Sequence, residues 1–461
     1  MEKHIINGLE KFINSENVPW HMPGHKRRIS ENINNNIDIT SAIQMISDID
    51  VTEVEETDDL HHPENIIKNS LEDITNIYGT YRSYYMINGS TGGILAAISA
   101  CSIGINRQNK NIIMARNCHK SVYNAVELLG LNPIFLDDIR DEKYKIPGHI
   151  DVENIERICK KIKNVCCMVI TSPTYEGVLS DVIGIKSIIA KYNIPLIVDE
   201  AHGAHLPFAN RLPKSAINCG ADIVIQSLHK TLSALTQTAI IHVNNDAYDE
   251  SVRKYLSVYM SSSPSYVFLC SMEYSINRAI NSDYNEYVDN IEAFIKSVDT
   301  LNNISIYKKE QALENGAYDY DISRIVLYSN KINGPKLEKL LRKNNIIIEM
   351  STVDYVVLIS TVEDKKEDFD NLFYAINNID IEIEKLIEKE NENNTFNDFS
   401  NNIQQLDNEL NKLIGKKAAD NIYVYPPGSY IVRVGEEYTE DKINIIKNNM
   451  LNGKKIRGKL L

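Results

Sequence analysis

Long apolar runs are missing from this chain. No stretch reaches the roughly 20 apolar residues needed to cross a bilayer. The amino-terminal MEKHIINGLEKF has no continuous apolar core of the kind a secretory signal needs. An excess of positive charge is missing too. Basic residues number 49 against 63 acidic ones, a formal net charge of -14. Nucleic-acid and anionic-membrane surfaces both require clustered positive potential, so the balance argues against either partner and suits a cationic substrate. There is no disulfide framework. The seven cysteines are an odd, scattered set in which only Cys166 and Cys167 adjoin, as expected of reduced thiols in a cytoplasmic protein. Nor is there a GxxxxGK[ST] nucleotide loop or an internal repeat. With 43% apolar and 24% charged residues, no compositional bias forces a disordered or fibrous chain.

A chain of 461 residues is too long for a single core and suggests two or three domains. Residues 1–65 read as an irregular amino-terminal arm: HMPGHKRR, an Asn-rich stretch, then the acidic run EVEETDD. Across 66–300 short apolar β-type runs (112–115, 165–171, 196–199, 223–226) alternate with helical patterns (121–129, 182–192). Strands separated by helices predict an α/β domain with a mostly parallel sheet covered on both faces. Ligands of such sheets sit beyond the carboxyl ends of the strands. A helix is expected over 284–301. Residues 301–461 read as a smaller α+β region with strands at 323–328, 346–350 and 355–360. The charged stretch 382–416 predicts a surface helix pair with a loop around 391–397, and the basic end NGKKIRGKLL a solvated tail.

Four polar motifs fall where strands end. Ser227-Leu228-His229-Lys230 follows an apolar strand; partial burial lowers an ammonium's pKa, and the neutral amine can condense with an aldehyde. The bland alternative is a surface lysine at a turn. Asp199-Glu200-Ala201-His202 also follows a strand; Asp199 could pair with a protonated pyridine nitrogen or simply cap the next helix. Asn88-Gly89-Ser90-Thr91-Gly92-Gly93 opens an apolar helix, giving either a phosphate cradle at a helix amino end or an ordinary cap. His119, in Arg116-Asn117-Cys118-His119, could lie flat on an aromatic ring or be structural. Each motif alone is weak. Their order along the chain, with 230 − 199 = 31 residues or about one βαβ unit between the Asp and the Lys, makes chance a poor account.

These blocks, with His21-Met22-Pro23-Gly24-His25-Lys26, Ser172-Pro173-Thr174-Tyr175-Glu176-Gly177, Tyr425-Pro426-Pro427-Gly428 and Gly435-Glu436, run the length of the chain. Together they resemble the Orn/Lys/Arg decarboxylase family, in particular its shorter arginine- and lysine-decarboxylase-like members. The resemblance implies an aspartate-aminotransferase-like fold (fold type I), with 66–300 binding pyridoxal 5'-phosphate. It implies that Lys230 holds the cofactor as a Schiff base, Asp199 meets its pyridine nitrogen and His119 stacks on its ring. Ser90, Thr91 and Ser227 would bind the phosphate, Ala201 would pack near the ring, and His202 and His229 would lie in the site. Glu436 would meet the distal cation of a basic amino acid, arginine before lysine or ornithine. A homodimer or larger assembly, absence of the amino-terminal wing domain of longer relatives, and a role in polyamine synthesis are further implications. Two departures stand out: Ser429-Tyr430 replaces the usual Ile-Pro after YPPG, and Arg433 replaces an apolar residue. An extra cation beside the substrate pocket would oppose a basic substrate unless it points away; the plain alternative is a solvent-facing side chain on an alternating strand.

Competing readings remain. DEAH is also a helicase signature, but the nucleotide loop is missing. His21/His25 and His202/His205 could form a zinc site, although glycine and proline within the pairs oppose helical presentation. The same fold also supports aminotransferases, aldolases and other lyases, and a catalytically silent paralogue.

Overall fold

Short runs, most of them rich in Val and Ile, form a central sheet of seven strands: β1 (Arg82–Met86), β2 (Asn111–Ala115), β3 (Asn132–Leu136), β4 (Val165–Thr171), β5 (Leu196–Asp199), β6 (Ile223–Gln226) and β7 (Ala239–Val243). This computed structural model describes residues 17–27, 39–54, 57–102, 110–392, 410–425, 429–451 and 455–460. The strands lie in the order β1-β7-β6-β5-β4-β2-β3. Neighbours from β6 to β3 are parallel, while β7 runs antiparallel to both β6 and β1. Every residue of β5, β6 and β7 is buried, as a sheet covered on both faces requires. Asp199 is level with Thr171 on one side and Ile225 on the other, so the strands end on one rim. The helix Gly89–Cys101 buries Gly92, Gly93, Ala96, Ala97 and Ala100. A Cβ added to Gly93 would stand 3.2 Å from Ile225, so small residues let this helix lie close to the sheet.

A second, antiparallel sheet has the order Ser305–Ile306, Arg324–Tyr328, Tyr355–Ile359, Met350–Ser351. Helices Tyr284–Val298 and Lys366–Glu392 supply its core with Ile291, Phe294, Leu372, Ile376, Ile379 and Ile383. The stretch expected as a surface helix pair from residue 382 therefore needs correction: its first part ends a 27-residue helix. Phe369, Leu372, Ile376, Ile379 and Ile383 recur at three- and four-residue steps on its buried side. Residues 393–409, including most of the expected loop, lie outside the described set.

The amino-terminal region is also less irregular than its composition suggests. Val18–Trp20 forms a strand parallel to Ile346–Ile348, and Ile39–Ser47 is helical. Trp20 is fully buried edge-on against Phe369, their centroids 5.4 Å apart. The basic carboxyl end is not a free tail. Lys455–Arg457 pairs with Ile422–Tyr425, itself paired with Ser429–Val432. Beneath that sheet, Leu410, Leu413, Ile422, Val432, Tyr438, Ile443 and Ile446 form a separate apolar cluster.

Lys26 joins the amino-terminal turn to the second sheet. Its buried Nζ donates to Ile359 O at 2.6 Å and Pro19 O at 3.2 Å, with Asp364 at 3.8 Å. Removing a buried cation strands its acceptors and its counter-charge. Lys26→Met should therefore lower stability by about 3 kcal/mol, read as an earlier denaturation midpoint.

Candidate active site

The carboxyl ends of β2, β5 and β6 bring the expected groups to one rim. Lys230 lies on the one-turn helix Leu228–Thr231 immediately after β6, and its Nζ is 2.9 Å from His202 Nε2. Desolvation lowers the Lys230 pKa; Asp199 and Glu349 oppose that shift, and Arg324 adds to it. Asp199, the last residue of β5, is buried, accepts Ala201 N–H at 3.2 Å and has its pKa raised by desolvation, against the pull of Lys230. Burial, then the Lys230 charge, holds His202 well below its ordinary pKa. The imidazole is thus neutral, able to share a proton with the amine. His119 caps the helix Lys120–Leu129 and bonds Ser121 Oγ at 2.8 Å. It is pushed down to about 4 by burial and by Lys230. Both bland and functional readings of His119 thus have support: it caps a helix, and it lies within the field of Lys230. His229 Nδ1 meets Thr238 O at 2.9 Å and is likewise pushed down to about 4, mainly by burial.

These residues fit pyridoxal phosphate. The helix beginning at Gly89 has no side-chain cap from Asn88, leaving its amino-terminal N–H groups for an anion. Ser90 is half-buried and Thr91 exposed there. Ser227 Oγ and Thr231 Oγ1, close to the lysine in sequence, are buried with no partner among the described residues, which for a native polar group points to a ligand. Among the described residues Asp199 accepts one hydrogen bond, from Ala201 N–H, leaving acceptor capacity for a pyridinium N–H. Ala201, 5% exposed, adds a small apolar surface beside it.

Three groups had no role in the sequence reading. Glu349, just beyond the strand Ile346–Ile348, accepts Met22 N–H at 2.9 Å and the Tyr175 hydroxyl. Tyr175 lies with its ring 4.6 Å from that of His202. Arg324, 1% exposed, donates through Nη2 to His202 O at 2.6 Å. Tyr175 stood inside a recognised block; an acid and an arginine bordering apolar strands gave no local signal. Glu436, the expected substrate acid, is instead paired with Lys442 Nζ at 2.9 Å and accepts Arg433 N–H at 3.2 Å. Arg433 does not face open solvent. Its guanidinium lies 5.3 Å from the Tyr123 ring centroid and 5.6 Å from that of Phe135, a cation–π seat. Residues 426–428 of YPPG lie outside the described set; the departure at 429–430 falls on the strand Ser429–Val432. The proposed zinc histidines diverge: His202 meets Lys230, His205 meets Asp321 at 3.2 Å, and His25 accepts Arg27 N–H.

The family described as Orn/Lys/Arg decarboxylase, major domain, matches residues 4–315. The uncharacterized protein YaaO of Bacillus subtilis is 30% identical across 96% of this chain and 93% of its own length. An arginine decarboxylase of the same organism is 28% identical across 99% and 95%. Among solved structures, the lysine decarboxylase of Francisella novicida superposes with a TM-score of 0.69 at 19% identity, covering 97% of this chain and 76% of that one. With the rim geometry, these matches establish that the chain belongs to the Orn/Lys/Arg decarboxylase family of pyridoxal-phosphate-dependent enzymes and has their aspartate-aminotransferase-like α/β fold.

Proposed function

We propose that this protein removes the α-carboxylate of a basic L-amino acid, arginine ahead of lysine and ornithine, releasing carbon dioxide and an amine that feeds polyamine synthesis. The observation that carries this reading is the desolvated Lys230, 2.9 Å from neutral His202 and within the field of buried Asp199. When bound, pyridoxal phosphate supplies the electron sink for the pair released as the Cα–carboxylate bond breaks. Lys230 would hold the cofactor, with Ser90, Thr91 and Ser227 at its phosphate, Asp199 at its ring nitrogen, and His119 and Ala201 along its ring. Lys230 Nζ, sharing a proton with His202 Nε2, is placed to return that proton to the substrate carbon. His229, turned to Thr238 O, helps fix the lysine turn. The arginine-first order is supported by the relative named arginine decarboxylase, which spans 99% of the chain.

Two further features accompany this reading. All seven cysteines are unpaired, six of them buried, which suits a reducing cytoplasm; no described helix is long and apolar enough to cross a membrane. Between residues 43 and 54 Ile43, Met45, Ile46, Ile49, Val51 and Val54 are each 46–72% exposed. An apolar run of that length supports assembly into a homodimer or larger homo-oligomer.

Purified protein with added cofactor should release carbon dioxide from arginine faster than from lysine or ornithine; no release from any of the three would overturn the substrate class. Lys230→Ala should reduce turnover by roughly 10⁴-fold or more, and Asp199→Ala by roughly 10²- to 10³-fold, in the same assay. Sedimentation equilibrium should give at least twice the mass of one 52.4 kDa chain; a fully active monomer would refute the assembly.

A further inference from the structure

We propose that Glu349 anchors the side-chain cation of the substrate, with the 20–26 turn fixing the direction of its carboxylate; this rests on the basic-amino-acid reading above. Glu349 is tied to the second sheet by its N–H, which donates to Val357 O at 3.0 Å, and its charge acts on Lys230, His229 and His21. It is half-buried. Its two oxygens are held by neutral donors, Oε2 by Met22 N–H at 2.9 Å and Oε1 by the Tyr175 hydroxyl. Those bonds orient the carboxylate without cancelling its charge. Among the described residues no ion pair to Glu349 is present. Each carboxylate oxygen has two acceptor positions, so one remains on each. Two parallel acceptors of that kind suit the fork of a guanidinium or, less closely, an ammonium.

Glu436 differs in both respects. Lys442 already neutralises it at 2.9 Å, and Arg433 stands beside it. Glu349 is also linked to the reacting end of the site: Tyr175, its donor, lies against His202, which meets Lys230. A substrate whose α-amino group is brought to Lys230 can therefore direct its other end to Glu349.

The 20–26 turn accounts for the rigidity of this arrangement. Gly24 N–H donates to His229 O at 2.8 Å, and Gly24 O accepts from Thr361 Oγ1 at 2.8 Å. A Cβ on Gly24 would stand 2.6 Å from Leu232 O, so only glycine allows the turn to lie this close to the lysine segment. Lys26 ties the same turn to Ile359 O. Met22 N–H is thus fixed relative to Lys230 and to the second sheet together. HMPGHK, a block without an assigned role, becomes a positioning element for Glu349.

The test is calorimetric binding of agmatine, cadaverine and n-pentylamine to the cofactor-loaded enzyme, since none of them has a carboxylate to lose. Glu349→Gln should weaken agmatine and cadaverine by roughly 10- to 100-fold and change pentylamine, which lacks the distal cation, by less than about 3-fold. Glu349→Asp, which keeps the charge, should recover part of the lost affinity. Equal losses for cadaverine and pentylamine, no loss for either, or an Asp variant no better than Gln would overturn the anchor. Release of carbon dioxide from arginine with KM unchanged in Glu349→Gln sinks the anchor and leaves the decarboxylase reading intact. Glu349-dependent diamine binding without carbon dioxide release from any basic amino acid does the reverse.

Discussion

The site depends on keeping one amine out of water. Lys230 is useful only if its ammonium is destabilised, and burial provides that. The same burial raises the Asp199 pKa and strips the proton from His202. Three groups that in water would be lysinium, carboxylate and a half-protonated imidazole become a set whose protonation states depend on one another. A cofactor with a phosphate, a pyridine nitrogen and an aldehyde matches the unspent donors and acceptors this set leaves.

Burial of this kind requires walls that do not yield. One wall is the main sheet, whose strand ends are level at Thr171, Asp199 and Ile225. The other is built from the second sheet and the amino-terminal turn. Glu363 is bonded bidentately by Arg278, at 2.5 and 2.6 Å, and also accepts from Ser233, three residues beyond Lys230. Gly24 and Lys26 complete the connection between the lysine segment and Ile359. The Glu363 carboxylate is buried although Arg278 is partly exposed, and a charge-assisted bond to a buried carboxylate loses much when its partner is removed, so the lysine turn is held from both sides.

The carboxyl-terminal unit has its own apolar cluster and meets the main domain through the Arg433 guanidinium on Tyr123 and Phe135. Tyr123 belongs to the helix that His119 caps. The residue that departs from the family pattern is therefore used in packing, and its charge is taken up by aromatic faces and Glu436 instead of repelling a substrate cation.

The sequence by itself determined four strands of the main sheet, β2, β4, β5 and β6, and the residues at its rim; β1, β3 and β7 took their place only through pairing with neighbours. Lys230, Asp199, His119 and Ser227 each sit within a few positions of an apolar strand, and strand period and loop chemistry are local properties. The path of the helix Lys366–Glu392, the strand made by the basic end, and the seat of Arg433 were hidden, because charged and Asn-rich composition masks a periodic apolar side and a strand needs a partner to be one. Only the tertiary structure decided that Glu349, Tyr175 and Met22 meet. They stand 349 − 175 = 174 and 349 − 22 = 327 residues apart, and no spacing rule links positions brought together by packing one sheet against the rim of another. The cofactor chemistry is written in short-range motifs; the carboxylate offered to the far end of the substrate is a product of domain packing.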